Sequence, residues 1–314
     1  MRRFFLPLLA VLCLCLMTYE SARAEGKIAV WVVLPENSGV YAATAAALRA
    51  EVEVRLPGRI AWQVVRGTDW PAAPAPKWVV AVGVAALQDV ERKFFAASGP
   101  APAVLATLLP RQGFEQLAAS TPAQMREGRL SAVVLDQPPS RQLALIRLAL
   151  PAARQVGVLT GRATPLPALE QAAHEAGLYL TAAPAQDEML FSALRMVLPV
   201  ADVLLALPDP EVFNSRSVPP ILTAAFRRKV PLLGFSPAYV KAGALLALYS
   251  TPSQIGRQSG AMLVAAFAGG RLPPVQPPRE FVVEINIDVA RLFGLRLDAG
   301  QLSESLARQE NDAR

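Results

Sequence analysis

The sequence predicts an α/β fold made of two doubly wound, parallel-sheet lobes joined by a hinge. Ten short apolar runs alternate with helix-like segments rich in alanine and leucine, as repeated strand–helix units do. The runs are continuously apolar, which is typical of parallel strands that helices cover on both faces. Because the runs form two sets of five, the sequence indicates two lobes rather than one larger sheet.

The first lobe is expected to contain five strands and to extend to about Pro138. The strand candidates are Ile28–Leu34, Ile60–Val65, Trp78–Val82, Val104–Leu108 and Ala132–Leu135. The connection from Gly67 to Lys77 holds three prolines, at positions 71, 74 and 76. Since three prolines in so short a segment prevent a helix, this lobe is expected to lack one of its covering helices.

The second lobe is expected to begin with a helix at Ser140–Leu150 and to contain the other five strands. Their candidates are Val156–Thr160, Leu178–Ala182, Val203–Leu207, Pro231–Phe235 and Leu245–Tyr249. After the first of these strands, Leu166, Leu169 and Ala173 share one helix face, and Gly177 is a natural helix end.

The N-terminus has the pattern of a secretory signal peptide covering residues 1–24. Arg2 and Arg3 precede an apolar run from Phe4 to Met17, and Ala22-Arg23-Ala24 is a small-x-small cleavage signal. The run is shorter than the roughly 20 residues that span a bilayer, although an uncleaved anchor is the alternative. We therefore expect a periplasmic protein. Both cysteines lie inside the apolar run, so the mature chain has no thiol and no disulfide.

Charge and composition exclude several classes of function. The formal charge of +6 is spread along the chain, and its longest basic cluster is Arg227-Arg228-Lys229. A nucleic-acid-binding surface needs a basic stripe with groove-reading or aromatic residues, which the sequence lacks. His174 is the only histidine, so a zinc site of the usual composition is excluded. We expect neither a nucleic-acid partner nor a cofactor.

One segment has part of the pattern of a hydrolase nucleophile. Gly234-Phe235-Ser236-Pro237-Ala238 follows a predicted strand, as a nucleophile elbow does. In hydrolases of that fold the catalytic histidine follows the serine, and here no histidine does. We therefore expect a turn beside a ligand cleft, and no enzyme.

A second strand end offers a possible anion contact. Gly83-Val84-Ala85 follows the Trp78–Val82 strand and opens a helix-like segment. Backbone N–H groups at a helix start can hold a carboxylate or phosphate. The alternative is a glycine that ends the strand for steric reasons alone.

The C-terminal half carries a resemblance to a known family. Its motifs, in chain order, are Leu135-Asp136-Gln137-Pro138, Leu150-Pro151, Asp209-Pro210, Asn214-Ser215, Ala225-Phe226-Arg227-Arg228-Lys229-Val230-Pro231, Val240-Lys241-Ala242-Gly243-Ala244, Ile255-Gly256-Arg257-Gln258, Gly269-Gly270-Arg271-Leu272-Pro273 and Ile285-Asn286. This string, over Ser131 to Leu297, resembles the ABC-type substrate-binding family whose members include tryptophan- and phenylalanine-binding proteins.

The resemblance implies a type I periplasmic-binding fold with three crossings between the lobes, near Pro138, near Tyr249 and near Pro273–Pro278. The first lobe would then comprise residues 25–138 with about 251–273, and the second 139–250 with about 279–298. Residues 301–314 are expected to form a polar tail. The implied function is to capture a small organic, amino-acid-like ligand between the lobes and deliver it to an ABC permease.

The ligand site is expected where the carboxyl ends of the parallel strands meet. The candidate residues follow the predicted strands of both lobes: Pro35, Asn37, Ser38, Gly83, Val84, Ala85, Thr107, Thr160, Asp209, Asn214, Ser236 and Tyr249. Asp209 suits a ligand ammonium group, but the alternative of a local cap remains open, because Asp is a preferred N-cap.

The first lobe departs from the family pattern. Members of the family usually have a threonine or serine after the glycine that corresponds to Gly83, and this chain has Val84 there. The hydroxyl that would donate a hydrogen bond to a ligand carboxylate is therefore missing. This departure favours an alternative function, in which a degenerate binding protein contacts an envelope sensor or an outer-membrane receptor without transport.

Overall fold

The computed structural model describes residues 26–36, 39–72, 75–95, 101–162 and 164–312. The segment interpreted as a signal peptide, residues 1–24, lies outside the described residues. The fold class is as predicted, with two α/β lobes built on separate sheets. Each sheet has a hydrophobic core on both faces.

The first lobe is built on a five-stranded parallel sheet in the order β2-β1-β3-β4-β5. Its elements are β1 (Ile28–Leu34), α1 (Gly39–Arg55), β2 (Ile60–Arg66), β3 (Trp78–Val82), α2 (Val84–Val90) with a π-helical turn at Glu91–Phe95, β4 (Ala103–Leu109), α3 (Arg111–Ser120), α4 (Pro122–Arg126) and β5 (Leu130–Val134). All five strands occur where the sequence predicts them, within two residues at each end.

Aromatic side chains pack on the sheet face beside the connection between β2 and β3. The described residues of that connection, 67–72 and 75–77, contain no helix. The Trp70 ring lies 6.3 Å from Trp31 and 5.4 Å from Phe94, measured between ring centroids. Trp31 is almost fully buried by this packing. Three rings therefore cover part of the sheet face that a helix would otherwise cover.

The second lobe is built on a six-stranded sheet in the order β11-β10-β9-β8-β6-β7. Its elements up to β10 are α5 (Pro139–Ala149), β6 (Gln155–Thr160), α6 (Leu166–Glu175), β7 (Tyr179–Pro184), a 3₁₀ turn at Asp187–Met189, α7 (Leu190–Val197), β8 (Val203–Leu205), α8 (Val218–Arg227), β9 (Leu232–Gly234), α9 (Pro237–Ala242) and β10 (Leu246–Tyr249). The remaining elements are α10 (Pro252–Gly269), β11 (Val282–Ile285), α11 (Ile287–Leu292) and α12 (Ala299–Asp312). The edge strand β11 is absent from the sequence-based prediction and runs antiparallel to β10.

The long helix α10 returns to the first lobe and packs along α1. Two glycines on α10 allow this close approach. A Cβ at Gly256 would lie 2.4 Å from the Thr44 carbonyl oxygen, and one at Gly260 would lie 2.7 Å from the Leu48 carbonyl oxygen. The two helices therefore meet backbone to backbone at this point.

The chain crosses between the lobes three times. The first crossing joins β5 to α5, the second joins β10 to α10, and the third leads from Gln276, which pairs with Val133 at the edge of the first sheet, to β11. Prolines stand at or beside all three, at Pro138, Pro252 and Pro277. Because proline has no N–H to donate, the proline-rich segment around Gln276 lies at a sheet edge rather than in its interior.

The expectation of a polar tail at residues 301–314 is wrong. Residues up to Asp312 belong to α12, which packs on α5 of the second lobe. Leu302 and Leu306, one helical turn apart, are buried against the core, and Glu310 on the same helix contacts Arg141. Two leucines at i and i+4 anchor the helix, although most of its other positions are polar.

The helices of the described part of the chain include none that is both long and apolar enough to cross a membrane.

Candidate functional site

Two neighbouring cavities lie between the lobes at the carboxyl ends of both sheets. The larger has a volume of about 460 Å³ and the smaller about 340 Å³. Both are lined by Asp136, Gln137, Gln142 and Pro208. Cavities of about 680 and 580 Å³ also exist, but each is lined by residues of a single lobe. Because ligands of open α/β sheets bind beyond the carboxyl ends of the strands, the cavities between the lobes are the candidate site.

The larger cavity is mainly apolar and is formed by both lobes. The first lobe contributes Val40, Tyr41, Leu108 and Pro110, and the second contributes Phe235, Ser236, Pro237, Leu248 and Tyr249. An apolar cavity with a few polar groups is the usual form of a small-molecule site.

The start of α2 does not reach the larger cavity, although the sequence predicts Gly83, Val84 and Ala85 in its wall. Tyr41 lies over Gly83, because a Cβ at Gly83 would be 2.8 Å from the Tyr41 ring. The Val84 side chain packs toward Gly113 of α3, where a Cβ would be 3.1 Å away. Gly83, Val84 and Ala85 therefore lie outside the walls of both cavities, and the aromatic ring from α1 lines the larger one instead.

A bulge in β4 turns Leu108, rather than Thr107, toward the larger cavity. Leu108 has a φ of +55°, and the pairing register with β5 shifts between Thr107 and Leu109. Leu108 therefore lines the cavity, while Thr107 is fully buried with its hydroxyl 2.7 Å from that of Ser259. The prediction that Thr107 faces the ligand is wrong, because the extra bulge residue changes the alternation of side chains.

Asp136 follows β5 and lines both cavities. One of its carboxylate oxygens, Oδ2, accepts a hydrogen bond from the backbone N–H of Arg111 at 2.5 Å. Burial raises the pKa of the Asp136 carboxyl, although the N–H and the charge of Arg111 act in the opposite direction. The site therefore contains a partly desolvated carboxyl group.

Gln142, on α5, also lines both cavities. Its exposed fraction is 3%, and its side-chain amide stands at the wall that the two cavities share. A side-chain amide can both donate and accept hydrogen bonds, so one at a cavity wall is a candidate ligand contact. Neither Asp136 nor Gln142 was among the sequence-based candidates. Asp136 is the next residue after the predicted strand Ala132–Leu135, so the strand-end argument applies to it as well.

Ser236 and Tyr249 lie in the wall of the larger cavity. Ser236 precedes α9 in an extended conformation, and its side chain makes no capping bond. The Tyr249 hydroxyl donates a hydrogen bond to Glu284 Oε2 at 2.7 Å. Burial, together with that carboxylate, raises the pKa of Tyr249 to about 12.

Asp209 lines the smaller cavity, but both of its oxygens have partners. Oδ1 accepts a hydrogen bond from the backbone N–H of Glu211 at 3.1 Å, and Oδ2 accepts one from the Thr164 hydroxyl at 3.0 Å. Asp209 is 2% exposed. Of the two roles left open by the sequence, these bonds fit the local cap.

The other sequence-based candidates lie elsewhere. Asn214 faces the 580 Å³ cavity of the second lobe, and its side chain accepts hydrogen bonds from two backbone N–H groups of its own turn. Pro35 follows β1 and Thr160 ends β6, but neither lines a cavity between the lobes. Asn37 and Ser38 lie outside the described residues.

Three solved structures have a fold similar to that of this chain. A ligand-free, open substrate-binding protein with adhesive properties from Clostridium difficile has 16% identity and a TM-score of 0.64, covering 87% of this chain and 96% of that one. A domain from Streptococcus pneumonia in complex with L-Trp has 15% identity and a TM-score of 0.58, covering 88% and 97%. A conserved domain protein from Vibrio cholerae has 21% identity and a TM-score of 0.56, covering 87% and 97%. These similarities support the type I periplasmic-binding fold.

No curated protein matches the chain significantly. Residues 131–291, half of the chain, match the family described as ABC transporter substrate binding protein. The matched region includes the second-lobe wall of both cavities, all three crossings, and Asp136 and Gln142. The chain therefore belongs to the ABC transporter substrate-binding protein family.

Proposed function

We propose that this protein captures a small organic ligand between its lobes in the periplasm and delivers it to the permease of an ABC importer. The observation that carries the proposal is the apolar cavity between the lobes, whose walls come from both sheets and whose polar groups lie beside the crossings. A ligand held there would contact both lobes and favour their closure. The fold relative solved with L-Trp supports an amino-acid-like ligand.

The three crossings are connected by hydrogen bonds, which supports a concerted closing motion. Gln137 in the first crossing donates to the Ser250 hydroxyl in the second, at 2.9 Å. Ser250 donates in turn to the carbonyl oxygen of Glu280 in the third, at 2.5 Å. Because these side chains lie beside the cavity, a bound ligand and the hinge would act on the same small region.

The proposal includes no catalytic step. A nucleophile elbow holds its serine in a strained turn, whereas Ser236 has φ −156° and ψ 161°, which are ordinary extended values. A Cβ at Gly234 would lie 2.4 Å from Tyr239 Cβ, so that glycine serves the packing of α9. We infer that the Gly-Phe-Ser-Pro-Ala segment is a turn in the cavity wall.

A thermal-shift screen of the secreted, mature protein tests the proposal. A ligand at 100 times its dissociation constant adds about 2.7 kcal/mol of stability, so amino acids and related metabolites that bind will raise the melting temperature. We expect Ser236→Trp, which fills the larger cavity, to abolish the shift. Gln171→Trp on the exposed face of α6 is the matched control and is expected to keep it.

Two results would contradict the proposal. An unchanged ligand-induced shift of the melting temperature in Ser236→Trp would place the ligand elsewhere. No such shift with any compound would favour the degenerate binding protein that contacts an envelope sensor or receptor.

N-terminal sequencing of the secreted protein tests its export. We expect Glu25 as the first residue, and retention of Arg2 and Arg3 would exclude export by cleavage.

A further inference from the structure

We propose that the site between the lobes selects an organic cation, namely a ring-bearing, largely apolar molecule whose protonated amine is held by Asp136 and Gln142. This inference rests on the proposed function and specifies the ligand class of the same site. It makes the amine, rather than a carboxylate, the group by which the ligand is anchored.

The charged side chain that is best placed to meet a ligand at these cavities is a carboxylate. The Asp136 carboxyl accepts a hydrogen bond from the Arg111 backbone N–H, and its own backbone N–H also donates to it. No side-chain donor of another described residue bonds this carboxyl. Asp209, across the smaller cavity, has both oxygens bonded within its own lobe. The Arg111 guanidinium lies at the rim, 40% exposed and 3.5 Å from the Glu115 carboxylate. The Arg111 charge already favours the ionised form of Asp136, and its guanidinium also contacts Glu115. Since Asp209 is committed, Asp136 is the carboxylate of the lining that can meet a ligand ammonium group.

Gln142 stands at the same junction and complements Asp136. Both residues line both cavities, so the Gln142 amide lies at the same shared wall as the Asp136 carboxylate. An ammonium group carries three N–H donors, which a carboxylate oxygen and an amide oxygen can accept together. A desolvated carboxylate without a cation is unfavourable, and a charge-assisted bond to an amine would remove that cost.

The larger cavity accommodates the apolar part of such a ligand. Tyr41 and Leu108 face it from the first lobe, and Phe235 and Leu248 face it from the second. Aromatic rings pack well against mixed aromatic and aliphatic walls of this kind. A ligand with a ring joined to an amine by a short chain would therefore place the ring in the apolar cavity and the amine beside Asp136 and Gln142.

The described lining offers a ligand carboxylate little to bind. The backbone at the start of α2 lies beneath Tyr41, and Val84 is turned toward Gly113. Arg111 is the one cation among the described residues of the two walls, and it already has an acidic partner. An amine without a carboxylate is therefore expected to bind at least as tightly as the corresponding amino acid.

Calorimetry on the mature protein with four indole compounds tests the inference. Tryptamine carries the amine alone, L-tryptophan carries amine and carboxylate, indole-3-propionate carries the carboxylate alone, and 3-methylindole carries neither. We expect tryptamine to bind at least as tightly as L-tryptophan, and the two compounds without an amine to bind roughly tenfold or more weakly.

Variants assign the effect to the named residues. Asp136→Asn is expected to weaken tryptamine binding by roughly tenfold to a hundredfold, and Gln142→Leu by roughly twofold to tenfold. Arg111→Gln is expected to strengthen it, because a like charge is removed. Asp288→Asn, at an exposed carboxylate on α11, is the matched control and is expected to have no effect. Circular dichroism of each variant confirms that it is folded.

The contrary results separate a failure of the cation inference from a failure of the proposed function. If L-tryptophan or indole-3-propionate binds and tryptamine does not, or if Asp136→Asn leaves the affinity unchanged, the cation inference is wrong while ligand capture between the lobes stands. If a wider panel of neutral and anionic compounds yields a ligand blocked by Ser236→Trp, and amines fail, the same conclusion follows. If no compound of any charge binds, both the inference and the proposed function fail.

Discussion

The guanidinium of Arg141 forms a two-point ion pair with the carboxylate of Glu310, joining the C-terminal helix to the first crossing. Nη2 donates to Oε2 at 2.8 Å, and Nε donates to Oε1 at 2.5 Å. Nη1 donates both to Gln137 Oε1 and to the carbonyl oxygen of Pro278. Arg141, which is 3% exposed, thus connects the first and third crossings to α12. The last helix is part of the hinge rather than an appendage.

We predict that Glu310→Gln lowers the free energy of unfolding by about 1–3 kcal/mol, because it leaves a buried guanidinium without its counter-charge. Urea denaturation measures the loss. Glu304→Gln, at an exposed position of the same helix, is the control and should change the value by less than about 0.5 kcal/mol. Equal effects of the two substitutions would mean that the pair does not hold the helix.

We predict that Gly256→Ala lowers the free energy of unfolding by about 1–3 kcal/mol, because the new methyl group would meet the Thr44 carbonyl oxygen and force α1 and α10 apart. Gly269→Ala, in the last turn of α10 where nothing lies within 4 Å, is the matched control and should be neutral or stabilising. Thermal and urea unfolding followed by circular dichroism compare the two. A loss no greater than in the control would show that the helices can separate freely.

We predict that Tyr249 stays protonated until about pH 12, because burial and Glu284 raise its pKa. A pKa that is higher in the folded than in the unfolded state adds stability below the unfolded value, and this stability is lost as the pH rises through the folded value. The stability difference between the wild type and Tyr249→Phe should therefore change between about pH 10 and 12. Tyr179→Phe, at an exposed tyrosine, should show no such change. A difference that stays constant over this range would contradict the assignment.

We predict that Asp136→Asn raises the melting temperature of the ligand-free protein at pH 7. Burial raises the pKa of Asp136, so the fold favours its protonated form, and that contribution is lost as the pH rises through the folded pKa. Asparagine avoids the charge, and its amide oxygen can still accept the Arg111 N–H. The gain should vanish below the unfolded pKa of about 3.9. A lower melting temperature at pH 7 would show that the carboxylate is stabilised by a cation.

The strands were predictable because parallel strands covered on both faces need continuous apolar runs, and ten such runs stand in the sequence. The edge strand β11 was missed because it has four residues and only one of them, Val283, is fully buried. The helix α12 was missed because its polar residues outnumber the two leucines that hold it. Both errors concern elements whose contacts with the core come from one or two side chains.

The site was predictable only in part, because strand ends give its location but not which side chains face it. Ser236 and Asp209 follow their strands, Tyr249 ends its strand, and all three line one of the cavities. Thr107 is displaced by a bulge that no local pattern announces, and Tyr41 reaches the site from a helix. Gln142 enters from the helix after the first crossing, so its place depends on how the lobes meet.

The prolines at the three crossings have a consequence for the entropy of closure. Proline restricts its own φ to near −65° and disfavours helical torsions in the residue before it. Pro138, for example, has a φ of −55°. Each crossing therefore contains backbone torsions that are already restricted before the lobes move. Since fixing one residue's backbone costs about 1–2 kcal/mol, a hinge that is already restricted loses less conformational entropy when a ligand closes it.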